Sequence, residues 1–88
     1  MENKILRVKG STNPISLAST IAHSVYAGED VTLRAIGPGP VNQAVKGVII
    51  AQSYVGAKGK RLSIVPGFAD VEMEDGIVSA VVLRVLAE

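Results

Sequence analysis

Residues 33–46 read LRAIGPGPVNQAVK, and this stretch decides the fold. Alternating apolar residues over 31–36 predict a strand with Arg34 opposite its apolar face. A turn of glycine and proline follows. Apolar spacing typical of a helix then runs over 41–55, with Pro40 suited to the first helical position. The chain therefore passes from strand to helix as α/β proteins do.

The turn between the strand and the helix is a candidate anion site. The backbone N–H groups of residues 41–43 should lack partners and point outward from a positive helix end, where a phosphate is stabilised. The site residues expected around this turn are Gly37, Gly39, Asn42, Gln43 and Lys46. The alternative is structural, because any α/β protein needs such a junction whether or not it binds a ligand. The stretch lacks the third glycine of a dinucleotide fingerprint and the Gly-Lys-Ser/Thr end of a P-loop, so a bound nucleotide cofactor is not expected.

Composition limits the classes of function. The 88 residues suffice for one domain, spanning 1–88, with one two-layer core. Aromatic residues make up only 3% of the chain, which disfavours a base-stacking surface. The sequence has no cysteine, and its single histidine, His23, has no second ligand with which to share a metal. We therefore expect no metal, no cofactor and no enzymatic activity.

Neither a signal segment nor a membrane span is visible, so we expect a cytoplasmic protein.

Charge is unevenly distributed along the chain. The formal net charge is +1, but four acidic residues are close together in sequence: Asp70, Glu72, Glu74 and Asp75. The rest of the chain carries nine basic and four acidic residues. This distribution predicts an acidic tip on a mildly basic body.

The N-terminal part predicts a strand followed by a helix. Alternation over 4–9 indicates a strand with Arg7 opposite its apolar face. Asn13 and Pro14 suit the N-cap and first position of a helix that ends at Gly28. The predicted buried stripe of this helix is Leu17, Ala18, Ile21 and Val25, with Ser16, Thr20 and His23 on the opposite side.

The central helix has two apolar stripes. The spacing predicts a core stripe of Val41, Ala44, Val45, Val48, Ile49 and Val55. A second stripe, on an outward face, contains Gln43, Gly47, Ile50 and Tyr54. A glycine beside large apolar residues there suits close packing against a second subunit, so we expect a homodimer with Gly47, Ile50 and Tyr54 at its interface. The alternative is that a strand or loop of the same chain covers this stripe.

Two further strands complete the chain. The third begins near Leu62, and Pro66 indicates a bulge or an edge position within it. Asp75-Gly76 predicts a hairpin turn. Residues 77–86 are apolar on both faces apart from Ser79 and Arg84, as in a central strand. The order β-α-β-α-β-β, with right-handed crossovers, predicts an α+β two-layer sandwich. Both helices then cover one face of a four-stranded mixed sheet.

The other face of that sheet would remain open. Arg7, Arg34 and Arg84 occupy strand positions opposite the predicted core, which makes their alignment a second candidate surface for phosphates.

Three segments resemble the stage V sporulation protein S family: KILRVKGSTNP over 4–14, RAIGPGPVNQAVK over 34–46, and IVPGF over 64–68. That family is similar in fold to the Alba chromatin proteins, which dimerise and bind DNA or RNA. The resemblance implies an Alba-like fold and a nucleic-acid-binding regulatory role linked to sporulation. By position, Lys9, Ser11 and Asn13 match the Alba loop that faces nucleic acid, and residues 34–43 match the strand and turn before the second helix.

Two functions remain open at this point. The first is a homodimeric regulatory protein that binds the backbone phosphates of DNA or RNA, weakly or without sequence preference. The second is a non-enzymatic oligomeric module that engages other proteins during development.

Overall fold

The computed structural model describes residues 3–88 and contains four strands and two helices. In chain order the elements are β1 (Asn3–Val8), α1 (Pro14–Tyr26), β2 (Asp30–Ala35), α2 (Pro38–Gly56), β3 (Leu62–Met73) and β4 (Gly76–Ala87). The predicted order β-α-β-α-β-β is confirmed, with each predicted strand boundary within a few residues of the observed one.

The four strands form one mixed sheet in the order β1-β2-β4-β3. β1 and β2 are parallel, whereas β4 is antiparallel to both β2 and β3. The central position predicted for the last strand is confirmed. β3 is an edge strand whose pairing runs without interruption from Leu62↔Ala87 to Met73↔Gly76, so Pro66 marks an edge and not a bulge.

Capping explains where α1 begins and ends. Asn13 Oδ1 accepts hydrogen bonds from the backbone N–H groups of Ile15 and Ser16, at 2.8 and 3.3 Å. At the other end Gly28 has a φ of 74°, in the left-handed region that favours glycine, and donates its N–H to the carbonyl of Val25 at 3.1 Å. Both predicted ends of this helix are confirmed.

The second helix begins earlier than the sequence spacing predicts. Pro38, and not Pro40, occupies its first position, and Gly37 is the N-cap with a φ of 93°. The GPGP run is therefore partly inside the helix. The prediction of a helix starting at Val41 is wrong because both prolines have backbone angles compatible with the first helical turn, where a missing N–H costs nothing.

The core lies between the sheet and the two helices. Leu17, Ala18 and Ile21 of α1 are buried there as predicted. The buried residues of α2 are Ala44, Gly47, Val48, Ala51 and Val55. Val45 and Ile49, predicted in the core stripe, are exposed. The buried face of α2 is therefore rotated from the predicted one, and Gly47 and Ala51 are buried in place of Val45 and Ile49.

Gly47 is the physical reason for this rotation. A Cβ built on Gly47 would lie 2.6 Å from Leu17 Cδ2 and 2.9 Å from Leu17 Cγ, so only glycine admits α1 this closely. The outward-facing position predicted for Gly47 is wrong, because α1 of the same chain covers it. Ile50 is half-buried against the core, and the Tyr54 carbonyl accepts a hydrogen bond from the Tyr26 hydroxyl at 3.3 Å.

Neither helix of the described chain, residues 3–88, is both long and apolar enough to cross a membrane.

The contact between Gly47 and Leu17 is testable by a double-mutant cycle. Gly47→Val should lower the free energy of unfolding by about 2–3 kcal/mol, because its branched side chain overpacks the contact. Leu17→Ala alone should cost about 2–5 kcal/mol by leaving a cavity. In the double variant the new methyl groups occupy that cavity, so the loss should be smaller than the sum by about 1 kcal/mol. Urea unfolding of the four proteins measures this, and strictly additive losses would contradict the close approach.

Ser24 gives a second test of the core. Its side chain is 1% exposed, and its Oγ has no hydrogen-bond partner within residues 3–88. Ser24→Ala should therefore raise the free energy of unfolding by about 1 kcal/mol, since it removes a desolvated hydroxyl and improves helix propensity. Ser19→Ala, at an exposed position of the same helix, isolates the propensity contribution. Thermal unfolding of both variants makes the comparison, and an equal gain in the two would show that the Ser24 hydroxyl is satisfied.

Candidate nucleic-acid interface

The sheet face opposite the helices carries two arginines side by side. Arg7 of β1 and Arg34 of β2 are direct partners in the parallel register. Neighbouring strands lie about 4.8 Å apart, so the two side chains start from adjacent points on the same face. Their chain neighbours Val8 and Ala35 are buried on the helix side, which fixes the arginines on the open side.

Neither arginine has an ion-pair partner among residues 3–88. Among residues 3–88 the ion pair closer than 4.0 Å is Lys4–Glu29, at 3.8 Å. Within this part of the chain, the guanidinium groups of Arg7 and Arg34 therefore have no carboxylate at that distance. Like charges placed opposite one another on neighbouring strands destabilise a sheet. An anion bound between them would remove this repulsion, and a guanidinium pair suits the oxygens of phosphate or carboxylate.

The two arginines belong to a concave site of about 440 Å³, here called the arginine pocket. One wall comes from the ends of β1 and β2 and the start of α2, and the other comes from the β3–β4 hairpin. The lining residues are Arg7, Val8, Lys9, Gly10, Arg34, Ile36, Pro40, Val71, Glu72 and Met73.

Charge in the arginine pocket is polarised. Its three cations, Arg7, Lys9 and Arg34, lie on the β1–β2 wall, whereas its one carboxylate, Glu72, lies on the hairpin wall. An anion entering the pocket is therefore attracted to the β1–β2 wall.

The comparisons with known proteins agree with this architecture. A family model described as stage V sporulation protein S matches residues 4–88. The chain belongs to the stage V sporulation protein S family. Among solved structures, Alba from Thermoplasma volcanium is similar, with a TM-score of 0.63 and 11% sequence identity, over 97% of this chain and 99% of that one. The fold is Alba-like, as the sequence resemblance implied.

The arginine pocket contains only part of the site predicted from the sequence. Lys9 and Arg34 line it. The other predicted residues do not: Ser11, Asn13, Gly37, Gly39, Asn42, Gln43 and Lys46. Asn13 uses its side-chain carbonyl to cap α1, and Gln43 Nε2 donates to the carbonyl of Thr12 at 2.8 Å. These two side chains tie the loop before α1 to its surroundings.

The amide donors predicted at the start of α2 are not available. The N–H of Val41 donates to the carbonyl of Gly37 at 3.2 Å, within the helix. Of the four leading positions that have no intrahelical acceptor, two are Pro38 and Pro40, which have no N–H. Gly37 and Gly39 alone can offer amides there. The prediction of free donors over residues 41–43 is wrong, because it placed the helix start three residues too late.

The open-face arginines are placed as the strand alternation predicts, but they do not form one row. Arg84 lies opposite Thr32, whereas the residue opposite Arg34 is Val82. Arg84 is therefore displaced by two residues along the sheet and stands outside the arginine pocket. The hairpin wall could not be predicted, because the alternation of a strand does not show which of its residues line a pocket together with other strands.

The lone histidine is engaged locally. His23 Nδ1 lies 2.8 Å from the carbonyl oxygen of Ser19, to which it donates in the matching tautomer. Within residues 3–88 no group of three or more His, Cys, Asp or Glu side chains is arranged to hold a metal ion.

Proposed function

We propose that this protein binds the backbone phosphates of DNA or RNA at the arginine pocket, in a regulatory role connected with sporulation or development. The observation that carries the proposal is the in-register pair of Arg7 and Arg34, which have no carboxylate partner in the described chain. Phosphate oxygens accept paired guanidinium hydrogen bonds, and phosphate contacts supply most of the affinity of sequence-independent binding. Lys9 adds a third cation at the end of β1.

The composition of the arginine pocket favours binding over catalysis. Its lining residues include no Ser, Cys, His or Tyr, so a nucleophile and its general base are not present together there. Under this proposal the protein acts in the cytoplasm, where it has access to nucleic acid.

A salt-dependent binding assay tests the phosphate contacts. Arg7→Gln and Arg34→Gln should each weaken binding to a short nucleic acid by about ten- to a hundredfold, the loss expected for one charge-assisted hydrogen-bonded contact. Each variant should also reduce the slope of log K against log salt by about 0.7–0.9 per pocket engaged. Fluorescence anisotropy titrations at several salt concentrations give both quantities.

Arg61→Gln is the matched control for these variants. Arg61 is exposed in the loop before β3, at the opposite end of the sheet from the arginine pocket, and it carries the same charge. Arg61→Gln should change the affinity for nucleic acid by less than about twofold, since the charge of Arg61 is far from the pocket and is screened by salt. Equal losses for all three variants would show a diffuse net-charge effect and would count against the arginine pocket.

A second candidate function is self-association or contact with another protein. Several large apolar side chains are exposed on the helix-bearing side of the sheet. Ile49 of α2 is 64% exposed, and Phe68 and Ile77 of the hairpin are 79% and 68% exposed. Exposed apolar residues of this size favour an interface, so the homodimer is proposed through this side and not through Gly47, which is buried.

Analytical ultracentrifugation tests the proposed homodimer. The wild type should sediment as a dimer at micromolar concentration, and Ile49→Glu should shift it towards monomer by burying a charge in the interface. Val65→Glu is the control, since Val65 is 51% exposed but lies on the open face of β3. An unchanged dimer in Ile49→Glu, or equal dissociation in both variants, would contradict an interface on the helix side.

A further inference from the structure

The arginine pocket has a shape that duplex phosphate binding does not require. A protein that contacts only the backbone of a duplex needs cations along a surface. Here the cations stand in a concave site of about 440 Å³, which is within the range of pockets that enclose a small organic group. The space beyond the arginines can therefore accommodate a group other than phosphate.

The wall opposite the arginines is apolar. Val71 and Met73 belong to the same alternating set of β3 residues as Val65, which places them on the open face of the sheet. Ile36 and Pro40 extend the apolar surface beside Arg34. Met73 is 51% exposed, so this surface is in contact with water in the free protein.

The two walls fit the two parts of one nucleotide. Resting on the proposed function, we propose that the arginine pocket receives one unpaired nucleotide of a single strand, with its phosphate on Arg7 and Arg34 and its base against Val71 and Met73. Sequence-tolerant readers of single strands usually stack bases on aromatic rings, and no ring lines this pocket. Arginine planes and the polarisable thioether of methionine also pack against the faces of bases.

The charge distribution fixes the direction in which the nucleotide enters. The cations of the pocket all belong to the β1–β2 wall, whereas Glu72 alternates with Val71 and Met73 along β3 and so faces the other side of the hairpin. The phosphate is therefore held on the β1–β2 wall, and the uncharged base is the part that can approach the hairpin. A base inside a duplex cannot reach this wall without being unpaired.

The base contact can be separated from the phosphate contact with an abasic strand. A thymidine strand of about ten nucleotides and an abasic strand of the same length carry equal charge. The wild type should bind the thymidine strand about tenfold more tightly than the abasic strand, and also more tightly than a duplex of the same length. The double variant Val71→Ala with Met73→Ala should lower this preference to about threefold or less, with affinity for the abasic strand unchanged.

Two further variants complete the design. Arg7→Gln should weaken binding of the thymidine and abasic strands by the same factor, because it removes only a phosphate contact. Val65→Ala removes an apolar side chain from the same face of β3, outside the pocket, and should leave the preference intact. Unchanged abasic binding by the double variant also shows that it remains folded.

The outcomes distinguish this inference from the function on which it rests. Equal, Arg7-dependent affinity for thymidine strand, abasic strand and duplex would overturn the nucleotide pocket while the phosphate contacts stand. Free thymidine monophosphate is then tested as a competitor of the thymidine strand. If it competes at the same concentration, counted in nucleotides, at which the strand half-saturates the protein, the pocket binds a free nucleotide and the proposal of a single-strand ligand is overturned. Absence of binding to all three polymers would overturn both proposals.

Discussion

The parallel pairing of β1 with β2 is the constraint on which the open face depends. Val8 and Ala35 must be buried beneath the helices, and their strand neighbours Arg7 and Arg34 must then be outside, directly opposite one another. A slip of one residue would place an arginine in the core, so the apolar packing that stabilises the fold also holds two like charges together. The cost of that repulsion is imposed by the fold itself. A bound anion is the simplest means of lowering it.

The contact between α1 and α2 shows where sequence patterns are sufficient and where they are not. The order of elements, the caps of α1 and the central position of β4 follow from spacing, capping residues and apolar runs. The buried face of α2 does not, because a glycine contributes nothing to an apolar count. Gly47 is nevertheless the point of closest approach to Leu17, and it turns Val45 and Ile49 outward. Hydrophobicity favours the larger side chains, but in a close-packed interior the smallest one decides how near two helices come.

The candidate site lies at the arginine pocket and not at the predicted turn before α2, and the reason is again local backbone chemistry. Glycine and proline before a helix are typical of an anion site at its N-terminus, but Pro38 and Pro40 remove two of the four amides that such a site would use. The sequence associates Arg34 with that turn as a binding residue, and it associates Arg7 only with a second candidate surface on the open face of the sheet. The structure joins these two through strand register, which residue spacing along the chain does not reveal. Lys9 also lines the pocket, because it directly follows Val8, the last residue of β1.

The length of the hairpin links the open face to the edge of the sheet. β3 and β4 each have twelve residues and β1 and β2 only six, so the hairpin extends past the end of β2, beyond the pair Ala35↔Val81. The length of its strands accounts for much of the 44 Å longest dimension. A long exposed edge strand favours pairing with other chains. Pro66 removes one donor from that edge, and the acidic residues from Asp70 to Asp75 surround its outer end. The same charges repel phosphate from the hairpin tip. The feature that protects the edge therefore also confines a polyanion to the β1–β2 side, where the arginines lie.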